Sequence, residues 1–265
     1  MSLEELRARL PDSIGVELDG PVLIVRLRRA AKRNALNDAM VLGIEALFSS
    51  LPQGVAAVVL AGEGEHFSAG LDLSELTERD AVEGVMHSRM WHRALERVQF
   101  GTAPVVAALH GAVIGGGLEL ASAAHIRVAE PSTYYAFPEG QRGIFVGGGG
   151  SVRVPRLIGT ALMMDMMMTG RVIRADEGQP LGFSQYLVGA GEGFSRALEL
   201  ARRIASNAPM TNYSLMHVLP RIADVGQDAG LMMESLAAAI AQSAPEAKAR
   251  LQDFLAKRAG KVGKA

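Results

Sequence analysis

Cysteine is absent from the 265 residues, which excludes disulfides, thiolate metal sites and a cysteine nucleophile. An excess of charge is missing too, since 27 basic side chains face 28 acidic ones. Recognition of nucleic-acid phosphates draws on a basic surplus, so this balance argues against nucleic-acid binding as the main role. Long apolar runs are also lacking: the longest, such as VAAVVLA at 55–61, fall far short of the ~20 residues that a membrane-spanning helix needs. The opening MSLEELRARLPDS is charged, without the apolar core of a secretory signal. The chain reads as cytoplasmic, with no membrane partner.

Several catalytic and nucleotide-binding signatures are missing as well. GGGLEL and GIFVGGGGSVR fit G-x-G-x-x-G in no register and lack the Gly-Lys-Ser/Thr of a P-loop. The nearest approach to a serine-hydrolase elbow, around Ser68, has His66 where the first glycine belongs. The six histidines, His66, His87, His92, His110, His125 and His217, form no H-E-x-x-H and no metal-like pair, so no metal site is expected. Each reads first as an ordinary packed or solvated side chain.

What is present is the composition of a globular protein with a sizeable core: 49% hydrophobic and 21% charged residues. The length suits one large domain or a domain with an appendage. IGVELDGPVLIVRLRR reads as two strands around a turn at Asp19-Gly20. Asn37 or Asp38 can cap a helix running toward Leu51, and VAAVVLAG reads as a buried strand. A helix over about 80–99, the strand PVVAALHG, a helix opening at Gly115, and the strands IRVAE and TYYAF follow. Beyond Ser151 the strand signal fades, and FSRALELARRIASNAP, GLMMESLAAAIAQS and PEAKARLQDFLAKRAG read as helices. The expectation is an α/β (α+β) body over 1–195 and a helical region over 196–265.

Two glutamates stand out. Glu119 follows three glycines and sits between leucines, and Glu139 follows the apolar run ending Phe137-Pro138. Neither has the setting of a solvated surface acid. The triplet 115–117 at a strand-to-helix junction allows either close helix–strand packing or backbone donors aimed at a developing oxyanion. HFSAGLDL (66–73) is a second small-residue turn that can supply another donor. LMMDMMMTG (162–170) reads as core, with an adaptable acyl pocket as the alternative. The basic run RLRRAAKRNAL, from Arg26, reads as a solvated face or as a phosphate contact.

Together these stretches resemble the crotonase (enoyl-CoA hydratase/isomerase) superfamily. KRNAL, HFSAGLDL, GAVIGGGLEL, IRVAE, FPEGQRGI, GGGGSVRVPRLIG and TGRVIRADEG occur in that family's order and spacing. The resemblance implies a spiral of β-β-α units followed by a helical region used for trimer formation, often as a dimer of trimers. It implies an acyl-CoA thioester as substrate, with CoA entering as part of that substrate and no separate cofactor. By motif position it places the oxyanion hole at the backbone N–H groups of Leu71 and Gly116, and the family's two acids at Glu119 and Glu139. It places CoA near Lys32, Arg33, Ala35, Ala69, Asp72 and Leu73. Segment position suggests Met90, Trp91 and Tyr135 for the acyl pocket, and Phe254 and Lys257 for closing a site.

In such a site the chemistry follows from residue type. Water adds to the β-carbon of a conjugated thioester once the carbonyl oxygen can take up negative charge, and losing one backbone donor there costs about 3–4 kcal/mol in other enzymes. A base must take a proton from the water and an acid must deliver one to the α-carbon. Two acids point to hydration, with Glu119 as activator and Glu139 as proton donor. Thioester hydrolysis, alone or after hydration, and double-bond isomerisation are the alternatives; RNA binding is disfavoured by the charge balance. The sequence departs from the family at His125, where many members carry aspartate, leaving Arg127 without its usual ionic partner. It departs also at Val146 and Ala30, both commonly proline. The combination of AAHIRVAEPSTYYAFPEG with RGIFVGGGGSVR is most similar to the methylthioacryloyl-CoA hydratase group.

Overall fold

A computed structural model describes residues 1–75 and 79–256. After α1 (Leu3–Arg7) come β1 (Ile14–Asp19), β2 (Val22–Leu27), α2 (Asp38–Ser49), β3 (Ala57–Gly62) and α3 (Ala81–Gln99). Next are β4 (Val105–Leu109), β5 (Ala112–Ile114), α4 (Gly116–Ala123), β6 (Ile126–Ala129) and β7 (Tyr134–Ala136). α5 (Gly150–Ile158), α6 (Thr160–Thr169), β8 (Ile173–Arg174), α7 (Ala175–Leu181), β9 (Tyr186–Leu187) and α8 (Gly193–Ala205) complete the first of two units, Met1–Ala205.

Local chemistry fixes the helix starts. Asn37 caps α2, its side chain accepting from Met40 N at 3.0 Å. Asp80 and Glu83 form a reciprocal capping box on α3. β1 and β2 pair antiparallel across the expected turn, with Ile14 opposite Leu27. From β2 onward the main sheet is parallel, in the order β1-β2-β3-β4-β6-β9.

Both faces of that sheet are covered, which explains why β3 and β4 read as unbroken apolar runs rather than alternating ones. Leu23, Val25, Val58, Leu60, Val105 and Ala107 pack with Met40, Ile44, Phe48, Leu95 and Leu118 from α2, α3 and α4. On the opposite face Val22, Val59, Ala61, Val106 and Val128 pack with Ala197, Leu200 and Ala201 of α8. The α/β body therefore runs through α8, and the boundary expected at 195/196 falls within this helix.

A second, smaller sheet carries the site. β5, β7 and β8 lie side by side, and the isolated bridges Leu36–Leu71 and Ser68–Val113 extend the layer. β4 passes into β5 through His110-Gly111, and β6 into β7 through residues 130–133, each pair feeding a helix. This is the expected β-β-α repeat. β5, β8 and β9, of two or three residues each, have no strand signal of their own in the sequence. Gly111 takes the left-handed φ of 54°, and a Cβ there would lie 2.1 Å from Glu65 O.

The second unit, Ser206–Ala265, contains α9 (Pro209–His217), α10 (Leu219–Ile222), α11 (Gln227–Ser243) and α12 (Pro245–Leu255). Leu231, Met232, Leu236 and Ile240 of α11 and Leu251, Phe254 and Leu255 of α12 are exposed. No helix among the described residues is long and apolar enough to cross a membrane.

Gly111→Ala is expected to lower folding stability by more than about 1 kcal/mol, because the turn imposes both strain and collision. Denaturant unfolding measures it; an unchanged midpoint would show that the passage between the sheets does not need this backbone.

Candidate active site

Glu119 and Glu139 are brought together by the pairing of β5 with β7. Gly115 N–H donates to Ala136 O at 3.0 Å, which places the N-terminus of α4 beside the segment leading to Glu139. Gly115, the N-cap of α4, has φ 50°. A Cβ there would sit 2.6 Å from Glu139 Oε1, so this position must be glycine for the carboxyl to lie against the backbone. Both acids line one cavity of about 450 Å³.

The two carboxyls have different surroundings. α4 is buried along its whole length, Glu119 included. Glu119 Oε1 accepts two backbone N–H bonds, from Gly148 and Gly150, each at 2.8 Å. Burial raises its pKa on balance, against the opposing pull of those two amides and of the charge of Arg153. Glu139 is buried as well, yet its Oε2 has no hydrogen-bond partner among the described residues. Burial, helped by the negative charge of Glu119, raises its pKa to about 7, against the opposing pull of its own backbone amide and Arg142. Burial thus raises both carboxyls, and what separates them is their partners: two amides hold Glu119, while Glu139 keeps an unpartnered oxygen and a proton near neutrality.

Two amides converge beside them. Gly116 is the first residue of α4, so its N–H has no acceptor within the helix. The Leu36–Leu71 bridge uses Gly70 O and Asp72 N, leaving Leu71 N–H outside it. A Cβ on Gly116 would lie 3.3 Å from Leu71 N, and one on Gly70 would lie 3.1 Å from Gly116 N. Leu71, Gly116 and Ala69 all line the cavity. Two such amides side by side on the cavity wall can donate to one substrate oxygen.

KRNAL is stitched to the same turn. Ala69 N–H donates to Arg33 O at 2.9 Å, and Ser68 Oγ to Asn34 O at 2.8 Å. Asn34, which the sequence reading did not single out, is buried and donates to Glu63 O and His66 O. Asp72 accepts from Ser74 Oγ (2.6 Å), Arg29 (2.7 Å) and Lys32 (3.1 Å), and these bonds, led by Ser74, hold its carboxyl well below the usual range. Of the residues expected near CoA, Ala69 and Leu73 line the cavity. Lys32 and Arg33 are exposed beside it, Ala35 O is taken by Arg29, and Asp72 serves as counter-charge to Arg29 and Lys32.

The acyl-pocket expectation needs correction. Trp91 lines the cavity; Met90 and Tyr135 do not. Gly84, His87, Ser88 and Trp91 share one face of α3 at helical spacing, and Met90, about 100° round from Trp91, packs toward the core. Tyr135 is fully buried, stacked on Phe183 at 4.5 Å, and burial raises its pKa to about 12. The methionines of α6 do not line the cavity; Met163 and Met166 are core. Arg79, His87, Ser88, Arg142, Ile144 and Phe145 are lining residues the sequence reading missed as such. His87 Nε2 is 2.7 Å from Asp38 Oδ1, and its ring meets Trp91 edge-on. Lys257 lies outside the described residues. Among the described residues no group of three or more metal-ligating side chains comes together.

The departures at His125 and Val146 also find places. Arg127 is buried and donates to Phe183 O and Ala124 O, both at 2.7 Å, so carbonyls satisfy its guanidinium. Val146 is buried in the cavity wall.

The sequence profile of the enoyl-CoA hydratase/isomerase family matches residues 17–263, and the chain belongs to this family. It is 31% identical over 250 residues to a short-chain-enoyl-CoA hydratase of Clostridium acetobutylicum, covering 93% of this chain and 96% of that one. It is 29% identical to the 2,3-dehydroadipyl-CoA hydratase of Escherichia coli, over 89% of this chain and 93% of that one. Among solved structures it resembles a Rhodopseudomonas palustris protein provisionally described as an enoyl-CoA hydratase, with TM-score 0.92, 57% identity, and coverage of 94% and 96%.

The raised pKa of Glu139 has a stability consequence. Its folded value of about 7 lies above the ordinary 4.5, so the folded state binds this proton more tightly than the unfolded chain. The associated stabilisation is complete below about pH 4.5 and is lost as pH rises through 7. Glu139→Gln, which carries no charge, is expected to gain on the wild type across that window, by on the order of 3 kcal/mol at most. Melting curves from pH 4 to 8 measure the difference; parallel curves would mean that folding leaves the pKa of Glu139 unshifted.

Proposed function

We propose that the protein adds water across the 2,3-double bond of 2-enoyl-CoA thioesters, in keeping with the hydratases it resembles over nearly their whole length. The observation that carries this reading is the pair of unlike buried carboxyls: Glu119 fixed as an acceptor by two amides, and Glu139 with an unpartnered oxygen and a pKa near 7. The thioester carbonyl oxygen accepts from Leu71 N–H and Gly116 N–H, which draws electron density from the β-carbon. Glu119 takes a proton from water as its oxygen bonds to the β-carbon. Glu139 delivers a proton to the α-carbon. Addition leaves Glu119 protonated and Glu139 ionised, and proton exchange with solvent restores both.

CoA on this reading runs past Ala69 and Leu73 toward Lys32 and Arg33, whose exposed charges suit its phosphates. Ala35 and Asp72 act by holding that segment in place. Trp91, with Ile144 and Phe145, walls the acyl side of the cavity. The exposed apolar residues of α11 and α12 support self-association of the chain, as the family's trimers would require.

Mixing the protein with crotonyl-CoA is expected to bleach the conjugated ultraviolet absorbance. Glu119→Gln and Glu139→Gln should each slow this by ~10²- to 10⁴-fold while melting cooperatively. Full activity in either variant would sink the two-carboxyl mechanism. A thiol reagent in the same assay reports free CoA: none is expected from hydration, and stoichiometric release would transfer the site to thioester cleavage.

A further inference from the structure

Arg153 lies on α5, one turn beyond the Gly150 amide that holds Glu119. We propose that Arg153 is a positioning residue for Glu119, acting through Gly148 and through its own charge rather than through substrate. Its guanidinium is divided between two acceptors. Nε donates to Gln99 Oε1 at 2.7 Å and Nη1 donates to Gly148 O at 2.9 Å. Gly148 is therefore gripped twice, by Arg153 at its carbonyl and by Glu119 at its N–H. A Cβ on the intervening Gly149 would lie 2.3 Å from Arg153 Nη1, so the guanidinium fills the space beneath the glycine loop.

The grip is anchored on the far side. Gln99 ends α3, and its backbone carbonyl lies 3.0 Å from His125 Nε2. His125 Nδ1 accepts from Val105 N–H at 2.9 Å, which places the ring proton on Nε2, donating to Gln99 O. An unbroken path thus runs from the start of β4 through His125, Gln99, Arg153 and Gly148 to Glu119. The histidine that departs from the family pattern has a defined place in it: a neutral ring with one donor and one acceptor meets both neighbours, whereas an ionised aspartate has no proton to give Gln99 O.

The charge matters as well as the fork. Glu119 is buried, and the positive charge of Arg153 favours its ionised form. Other ionisable groups around this pair are Glu139 beyond β7, His92, Arg89 and Glu96 on α3, and Arg156 on α5. Glu96 supports the positive charge of Arg153 and Arg156 opposes it. Burial and the arginines Arg89 and Arg153 hold His92 below its usual value, so it adds no competing charge near neutrality. Lysine cannot replace this residue, because a single ammonium on a flexible stem does not span two acceptors in the fork's geometry.

The proposal rests on Glu119 acting as the ionised base, and the test separates the two claims. The pH dependence of kcat/KM for crotonyl-CoA, with a thermal melt of each variant, is measured for wild type, Arg153→Met, Arg153→Lys and Glu119→Gln. Loss of the cation disfavours the carboxylate, so in Arg153→Met the acidic limb is expected to move to higher pH by about one pH unit or more. In Arg153→Lys the limb should stay while kcat falls at least several-fold, because the charge is kept and the fork is lost. An unshifted limb in a folded Arg153→Met, or wild-type kcat in Arg153→Lys, overturns the role given to Arg153. Should Arg153→Met not fold, the lysine variant decides alone. An active Glu119→Gln overturns the base assignment itself, whereas an inactive one beside an unshifted Arg153→Met removes only the arginine.

Discussion

A carboxylate enclosed by protein must have its oxygens met by donors or surrender its charge, and Glu119 is the point where this constraint acts on the fold. Its helix is buried along its whole length, and its carboxyl meets solvent at the cavity it lines. The donors have to come from backbone, and two amides of a glycine-rich loop supply them. That loop can approach because it carries no side chains, and it is held in place by the helix that begins at Gly150. Glu139 makes the complementary case: in a similar enclosure one of its oxygens is unpartnered, and burial raises its pKa to about 7.

The two amides proposed as oxyanion donors obey the same accounting of backbone groups. A helix start and a single β-bridge each leave one amide unused, and the second sheet brings the two to one point. Most of that sheet consists of pieces of one to three residues. It adds little regular hydrogen bonding. Its contribution is to carry the ends of successive units to a common place, while the parallel sheet beneath, covered on both faces, supplies the bulk of the core.

Much of this was legible in the sequence. Long apolar strands, capped helices and the two acids in apolar surroundings each left a local signal, and the ordered motifs tied them to a family. What was not legible arises from contacts between segments far apart in the chain. Met90 and Trp91 are adjacent, so sequence position could not say which faces the cavity; the helical phase set by Gly84, His87 and Ser88 decides it. Tyr135 could not be distinguished from a pocket residue until Phe183, remote in sequence, was seen stacked on it. The role of Asp72 as internal counter-charge also depends on Arg29 and Lys32 folding back over it. α8 looked like the start of a separate helical region because an amphipathic pattern does not say which surface it covers.

The bond from Gly115 N–H to Ala136 O bears on how such a site tolerates change over time. Glu119 lies four residues beyond one end of that bond and Glu139 three beyond the other. Their mutual placement is thus counted from the register of β5 against β7, not along the twenty-residue interval between them. The turn at 130–133, closed by Thr133 N–H to Glu130 O and exposed at Pro131 and Ser132, lies within that interval and outside the count. A single residue gained between Ile114 and Glu119, or between Ala136 and Glu139, would instead displace one carboxyl from the other. Length variation in descendants of this chain should therefore avoid those two short intervals.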